Sequence, residues 1–303
     1  MIKLGIETAV AAAACACVPW IGKGDKVSAD QAAVKAMREV LNTIPMDGRI
    51  VIGEGERDKA PMLHIGELVG TGGPKIDIAV DPLEGTELCA RGQPGAICVL
   101  SYAPRGELLH APDIYMDKIA AGPGILLNPS DIDEPLELII DRIERARGRS
   151  ARVVILDRNR HESLIQVVNR TGAELTLISD GDVMASLQTA IDFAEIEPEF
   201  DLYIGTGGAP EGVLAASGLQ HLGGSFIGRL NATSKAQKSR AEKLELKNLE
   251  KIYETSDLAS ANTTLVIAGV TRHILRQASV DEADILIISE KGMERKTLST
   301  TFS

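Results

Sequence analysis

The sequence predicts an α/β protein, with a mixed sheet in its first half and alternating strand–helix units in its second. Three observations carry this. Aromatic residues make up only 3% of the 303 residues while apolar residues reach 44%, so the core must be built from Ile, Leu, Val and Ala. Residues 76 to about 121 read as strand and hairpin, antiparallel or mixed. Past Pro129 the rhythm changes to helix, strand, helix, strand, the signature of a parallel sheet with crossover helices. The length accommodates one large domain or two smaller ones.

The N-terminal MIKLGIETAVAAAACACVPW has the lysine, small residues and cysteine of a secretory or lipoprotein signal. Gly5 and Glu7 interrupt it where an apolar run is required, which favours an Ala-rich helix packed on its own protein. Ser28-Ala-Asp-Gln31 has capping-box spacing, and Ala33, Val34, Met37, Val40 and Leu41 continue a helix that Pro45 and Asp47-Gly48 end. RIVIGEGERD then reads as a strand finishing in glycines and acids. PMLHIGELVG reads as a short helix begun by Pro61. Ile76, Ile78, Ala79 and Val80 form a buried strand that Pro82, lacking an N–H, should end. GAICVLSYAPRGELLHAPD reads as a hairpin turning at Arg105-Gly106.

A helix is expected from about Asp131 to Arg147, then the strand ARVVILD. HESLIQVVNRTG, AELTLISD, GDVMASLQTAID, FDLYIGTGG and APEGVLAASGLQ continue the alternation. Ser234 to Leu249 suggests an exposed helix, and LVIAGV and ILIISEKG supply late strands. A soft boundary near 150 separates a mixed α/β subdomain (1–150), expected to hold metal, from an α/β subdomain (151–303) with substrate-binding loops. No Ser/Gly-rich linker divides them, so the halves are expected to pack as one rigid unit.

The formal net charge of −11 argues against nucleic-acid binding, which wants a basic face. No apolar run approaches a membrane span, so a cytoplasmic protein is expected. Cys15, Cys17, Cys89 and Cys98 have no spacing for a zinc site and read as small buried hydrophobes in a reducing compartment. The five histidines carry no signal; His161 simply begins a helix near two arginines.

Four strands end alike. One leads into Glu54, Glu56 and Asp58; a second into Asp81, Glu84 and Thr86. The third leads into Asp180-Gly181-Asp182, and the fourth into Gly207-Gly208-Ala-Pro-Glu211. Ligands gather at the carboxyl ends of strands in open α/β sheets, so these segments could converge on one cleft. An oxygen-rich, His-poor set suits Mg²⁺ or Mn²⁺, with more than one site possible. The reaction such a site favours is phosphoryl transfer to water. Gly85-Thr86 and Gly207-Gly208 can expose backbone N–H groups to phosphate, and Arg158 and Arg160 can clamp a second phosphate. Taken singly, Asp180-Gly181-Asp182 is more often turn chemistry, Glu54-Gly55-Glu56 is as often a solvated loop, and the Gly-Gly pair could begin a nucleotide-binding turn. Asp81-Pro-Leu-Glu84-Gly-Thr is the specific combination.

At that hexapeptide the sequence resembles the metal-dependent, lithium-sensitive phosphatase superfamily. GKGDK, ADQAAV, VIGEGERDKAPML, DIAVDPLEGT, APD.YM.K, RH, DGD and GGAPEGV, in this order, resemble class II fructose-1,6-bisphosphatase over nearly the whole chain. The resemblance implies a layered αβαβα sandwich and hydrolysis of the 1-phosphate of fructose 1,6-bisphosphate, in gluconeogenesis or carbon fixation, with sedoheptulose 1,7-bisphosphate as a second substrate in some relatives. It implies two or more Mn²⁺ or Mg²⁺ ions per site, with ligands at Asp30, Glu54, Asp81, Glu84 and Glu211. It places substrate contacts at Glu84, Gly85, Thr86, Tyr115, Arg158, Asn159, Arg160, Asp180, Gly181, Asp182 and Gly208. Thr86 would orient the attacking water, with Lys26 and Asp58 needed for turnover. Only the resemblance nominates Asp30, Lys26 and Tyr115. Arg158-Asn159 departs from a Lys-Pro pair common in the family, and the segment between Gly70 and Ile76 is short. A homo-oligomer, dimer or tetramer, is also implied.

Three rivals stand beside this reading. Another phosphatase of the superfamily, for inositol or nucleotide phosphates, would usually carry a Trp-Asp motif where Ala-Pro-Glu-Gly stands here. A non-catalytic nucleotide-binding module using GTGGAPEG leaves the acids at 54, 81 and 84 unexplained. A metal-storage or calcium module predicts binding without phosphate release.

Overall fold

The structure is a computed structural model and describes residues 1–55, 62–192, 197–244, 246 and 248–300. The chain forms two compact units, Met1–His110 with Asn262–Ser303, and Ala111–Ala261. Both are α/β with a mixed sheet, the class the sequence predicts.

The first unit opens with helix α1 (Ile2–Cys17). The stretch Ile2–Trp20 is long and apolar enough to cross a membrane. Yet Ala9, Val10, Ala13, Ala14 and Cys17 are fully buried in the core, so it is a core helix. Glu7, the residue that interrupts the apolar run, is itself buried and pairs with Lys296 at 2.9 Å. Helix α2 (Lys26–Leu41) starts earlier than its capping-box spacing suggests. Asp25 is the cap, accepting from the Ser28 N–H at 3.0 Å and the Ser28 hydroxyl at 2.6 Å, which uses up the serine expected to cap.

Strands β1 (Asp47–Ile52), β2 (Leu68–Val69), β3 (Lys75–Glu84) and β4 (Ile97–Pro104) follow, with the short helix α3 (Thr86–Arg91) between the last two. β1 and β3 are parallel; β2 and β4 run antiparallel to them. The helix expected after Pro61 does not form among the described residues. Residues 62–70 are turns and β2, because Gly66 and Gly70 sit at φ +88° and +97°, outside helical space. The Arg105-Gly106 turn forms, but the chain leaving it returns no strand to β4.

That turn is fixed instead by Asp77, a fully buried carboxylate on β3. It accepts from Arg49 Nε and Nη2 at 2.9 and 3.0 Å and from the Gly106 N–H at 2.7 Å. Burial opposes its charge, but these donors and His110 outweigh burial and hold its pKa below the ordinary carboxylate range. The stability it contributes is therefore present above the unfolded pKa of about 3.9 and lost as pH falls through the lower folded value. Asp77→Asn should cost about 2 kcal/mol at pH 7. Its thermal midpoint should fall less than the wild type's between pH 5 and pH 3, a difference that melting curves at both pH values would show.

The second unit holds β5 (Tyr115–Ala121), α4 (Leu136–Arg147), β6 (Arg152–Leu156), α5 (Glu162–Thr171), β7 (Glu174–Ile178), α6 (Asp182–Leu187), β8 (Leu202–Gly208), α7 (Ala209–Leu222), β9 (Ser225–Asn231), α8 (Lys235–Lys243), β10 (Ile252–Glu254) and α9 (Thr255–Leu258). The sheet order is β10-β9-β5-β8-β6-β7. The expected parallel βα repeat is real only for β7, β6 and β8. β5 lies antiparallel between β8 and β9, so the sheet is mixed. Residue 150, where the sequence places a soft boundary, falls inside this unit between α4 and β6.

Finally β11 (Thr264–Gly269), β12 (Glu282–Ser289) and β13 (Gly292–Ser299) return to the first unit's sheet as an antiparallel set beside β4. Their pairing completes the order β13-β12-β11-β4-β3-β1-β2.

Candidate active site

In the first unit the carboxyl ends of the parallel strands β1 and β3 lie at one sheet edge. Glu54 follows β1, and Asp81 and Glu84 close β3. Pro82 does not end β3; it sits in a one-residue bulge. Asp81 faces Val99 and Glu84 faces Ile97, three residues of β3 against two of β4. In a regular strand, side chains three apart point to opposite faces. The bulge corrects the parity, and because Val99 and Ile97 share a face, so do Asp81 and Glu84. Gly85 (φ +80°) then turns the chain sharply and makes Thr86 the first residue of α3. Lys26, at the start of α2, reaches α3 and pairs with Glu87 at 3.3 Å.

Asp30, one turn into α2, belongs to the same environment. Burial raises its carboxyl, and burial together with the charge of Asp30 pushes Glu54 up to about 7. Among the described residues neither acid pairs with a cation. Two half-buried acids, one raised by the charge of the other, are stabilised when a positive charge joins them. An all-oxygen donor set of this kind suits a hard divalent cation. No three ligating side chains stand together in a metal-holding group among the described residues; Glu56 and Asp58 lie outside those residues.

In the second unit the parallel β7, β6 and β8 also bring their carboxyl ends to one edge, and antiparallel β5 begins there, with Tyr115 opposite Gly208. The Arg160 guanidinium stacks 5.1 Å from the Tyr115 ring centre and donates twice to the Thr206 carbonyl, at 3.0 and 2.6 Å. Arg158 is half-buried and donates to the neighbouring Asp157 carbonyl at 2.9 Å, while Asn159 is exposed. Asp180 accepts from the Gly181 N–H at 3.1 Å, and Gly181 (φ +90°) caps α6, whose first residue is Asp182.

Gly207 and Gly208 turn out to make room for side chains. A Cβ on Gly207 would lie 2.0 Å from Asp182 Oδ2, and one on Gly208 2.0 Å from Glu211 Oε2. The Ala209 N–H is taken by the Ile114 carbonyl at 2.9 Å, and Pro210 has none. The Glu211 carboxylate bonds its own N–H; burial and then Asp182 raise its pKa, with Lys118 opposing. The Glu211 oxygen Oε2 has no hydrogen-bond partner among the described residues.

The sequence of the family described as "Bacterial fructose-1,6-bisphosphatase, glpX-encoded" matches residues 2–291. The chain belongs to that family. It is therefore a class II fructose-1,6-bisphosphatase, a phosphatase of fructose 1,6-bisphosphate, and the binding-module and storage readings fall away. The enzyme is 43% identical over 305 positions to the D-fructose 1,6-bisphosphatase class 2/sedoheptulose 1,7-bisphosphatase of Thermosynechococcus vestitus, covering 91% of this chain and 86% of that one. Proteins of the same description match at 42% in Trichodesmium erythraeum (89% and 86% covered) and 43% in Synechocystis sp. (88% and 85%).

Sequence reading missed two parts of this geometry. His161 is a brace between strands: its Nδ1–H donates to the Leu156 carbonyl at 2.7 Å and its Nε2 accepts from the Thr206 N–H at 2.8 Å. Burial lowers its pKa and keeps it neutral, as the accepting Nε2 requires. Lys118 was also missed; a lysine in the middle of an apolar strand, three residues after Tyr115, was the available signal.

Proposed function

We propose that the enzyme hydrolyses the 1-phosphate of fructose 1,6-bisphosphate with two or more Mn²⁺ or Mg²⁺ ions, using Asp30, Glu54, Asp81, Glu84 and Glu211 as the ligands. The observations that support this most are the half-buried acid pair Asp30 and Glu54 and the bulge that turns Asp81 and Glu84 to one face. Such ions, when bound, neutralise phosphoryl charge and make water a better nucleophile. Thr86, presented by the Gly85 turn at the start of α3, orients the attacking water. Glu84, Gly85 and Thr86 contact the reacting phosphate, and Lys26 and Asp58 support turnover.

Further substrate contacts are assigned to residues of the second unit. Tyr115 and Arg160 stack on each other, and Arg160 Nη1 is left for a phosphate after Nε and Nη2 bind Thr206. Arg158, Asn159, Asp180, Gly181, Asp182 and Gly208 complete the contacts. The names of the relatives support sedoheptulose 1,7-bisphosphate as a second substrate, which differs by one carbon between the phosphates. A cytoplasmic homo-oligomer serving gluconeogenesis or carbon fixation completes the proposal.

The test is phosphate release from fructose 1,6-bisphosphate, sedoheptulose 1,7-bisphosphate and inositol 1-phosphate, each with Mn²⁺, Mg²⁺ or EDTA. Turnover of both sugar bisphosphates, abolished by EDTA and restored by metal, is expected. Undiminished turnover in EDTA would refute the metal assignment, and absence of release from the seven-carbon sugar would restrict the substrate.

A further inference from the structure

We propose that Lys118 is a positioning residue that fixes Asp182 for substrate, and that Gly207 is glycine to admit the pair. Lys118 lies in the middle of β5, flanked by β8 and β9, and is 2% exposed. Its Nζ is 2.6 Å from Asp182 Oδ2 and 3.0 Å from the Gly208 carbonyl oxygen. The Tyr203 hydroxyl donates to the same Oδ2 at 3.1 Å. Two donors from two strands on one oxygen leave the Asp182 carboxylate little freedom to turn.

A buried ammonium is costly unless paired and hydrogen-bonded, and many such pairs serve only the fold. The location here argues for more. Asp182 is the first residue of α6, directly after Asp180-Gly181, and Gly208 is the residue that caps α7. One ammonium therefore ties Asp182, at the β7–α6 connection, to Gly208, where β8 passes into α7. Gly207 bears the steric requirement. A Cβ there would stand 2.8 Å from Lys118 Nζ as well as 2.0 Å from Asp182 Oδ2, so any other residue would push the pair apart. The inference rests on the reading of Asp182 as a substrate contact.

The experiment compares Lys118→Met, Asp182→Ala and Tyr203→Phe in the full chain by steady-state kinetics at saturating Mn²⁺, with melting curves to establish folding. A lost charge-assisted bond that orients a substrate contact should raise KM for fructose 1,6-bisphosphate by about tenfold in Lys118→Met. Its kcat per folded molecule should stay within about threefold, because the bond holds a binding group in both ground and transition states. Asp182→Ala should raise KM comparably. Wild-type KM in folded Lys118→Met beside a defective Asp182→Ala would overturn the proposal, as would a loss confined to kcat. If Lys118→Met shows no cooperative melting, Tyr203→Phe decides, since it removes one donor from the same oxygen and leaves the charge. A KM raised about threefold supports positioning, and an unchanged KM overturns it. Wild-type kinetics in Asp182→Ala would instead remove Asp182 from the substrate site, a separate failure.

Discussion

Glu84→Ala should fold as the wild type does and lose at least about 10³-fold in kcat, because it deletes a charge proposed to act on both metal and substrate. The side chain is only 5% exposed, so truncation of a buried group would ordinarily destabilise. Here the residue shares a strand face with Asp81, three positions away across a bulge. A cooperative melting transition is nonetheless expected, so that the lost turnover reports the missing carboxylate and not an unfolded chain. Kinetics in Mn²⁺ and a melt in EDTA together test this. Substantial activity would refute the role of Glu84, while a collapsed melting transition would make it a structural residue.

Gly207→Ala should both destabilise the second unit's sheet edge and weaken substrate binding. Gly207 is paired with Met116 in the β5–β8 ladder, so its backbone cannot retreat without breaking strand pairing. The added Cβ would lie 2.0 Å from Asp182 Oδ2, closer than any real contact, and one of the two must move. Overpacking of this kind costs about 1–3 kcal/mol. In a chain of this size that is a fall of several degrees, about 2–4 °C per kcal/mol. Because the displaced atom is the one Lys118 and Tyr203 hold, KM should rise as well. A stable Gly207→Ala with unchanged KM would mean that the pair can be rebuilt around a methyl.

The sequence made the class of fold legible because hydrophobic runs and turn residues report locally. β3, β6, β8 and α7 lie where their apolar periods put them. What it hid was set by partners distant in sequence. The β4 turn returns no strand because its sheet neighbour is β11, more than 150 residues later. The second sheet is mixed because β5 inserts between β8 and β9, which no local pattern announces. Pro82 should have ended a strand on propensity alone, yet the bulge absorbs it, and the bulge turns the two acids to one face. The site was legible wherever a motif was dense, as at Asp81 to Thr86. It was hidden where single residues act through tertiary contact, as with Lys118, His161 and the space over Gly207. Asp30 shows the same limit: spacing reads it as part of a helix start, while its effect on Glu54 exists only in the fold.

Divalent cations held by these carboxylates are what the proposed chemistry depends on. The most direct measurement is Mn²⁺ binding by electron paramagnetic resonance, which counts free ion without depending on turnover, for the wild type and for Glu54→Gln. Two or more Mn²⁺ ions should bind per chain in the wild type, and at least one should be lost when the Glu54 charge is removed. Equal binding by both proteins, or none by the wild type, would contradict this.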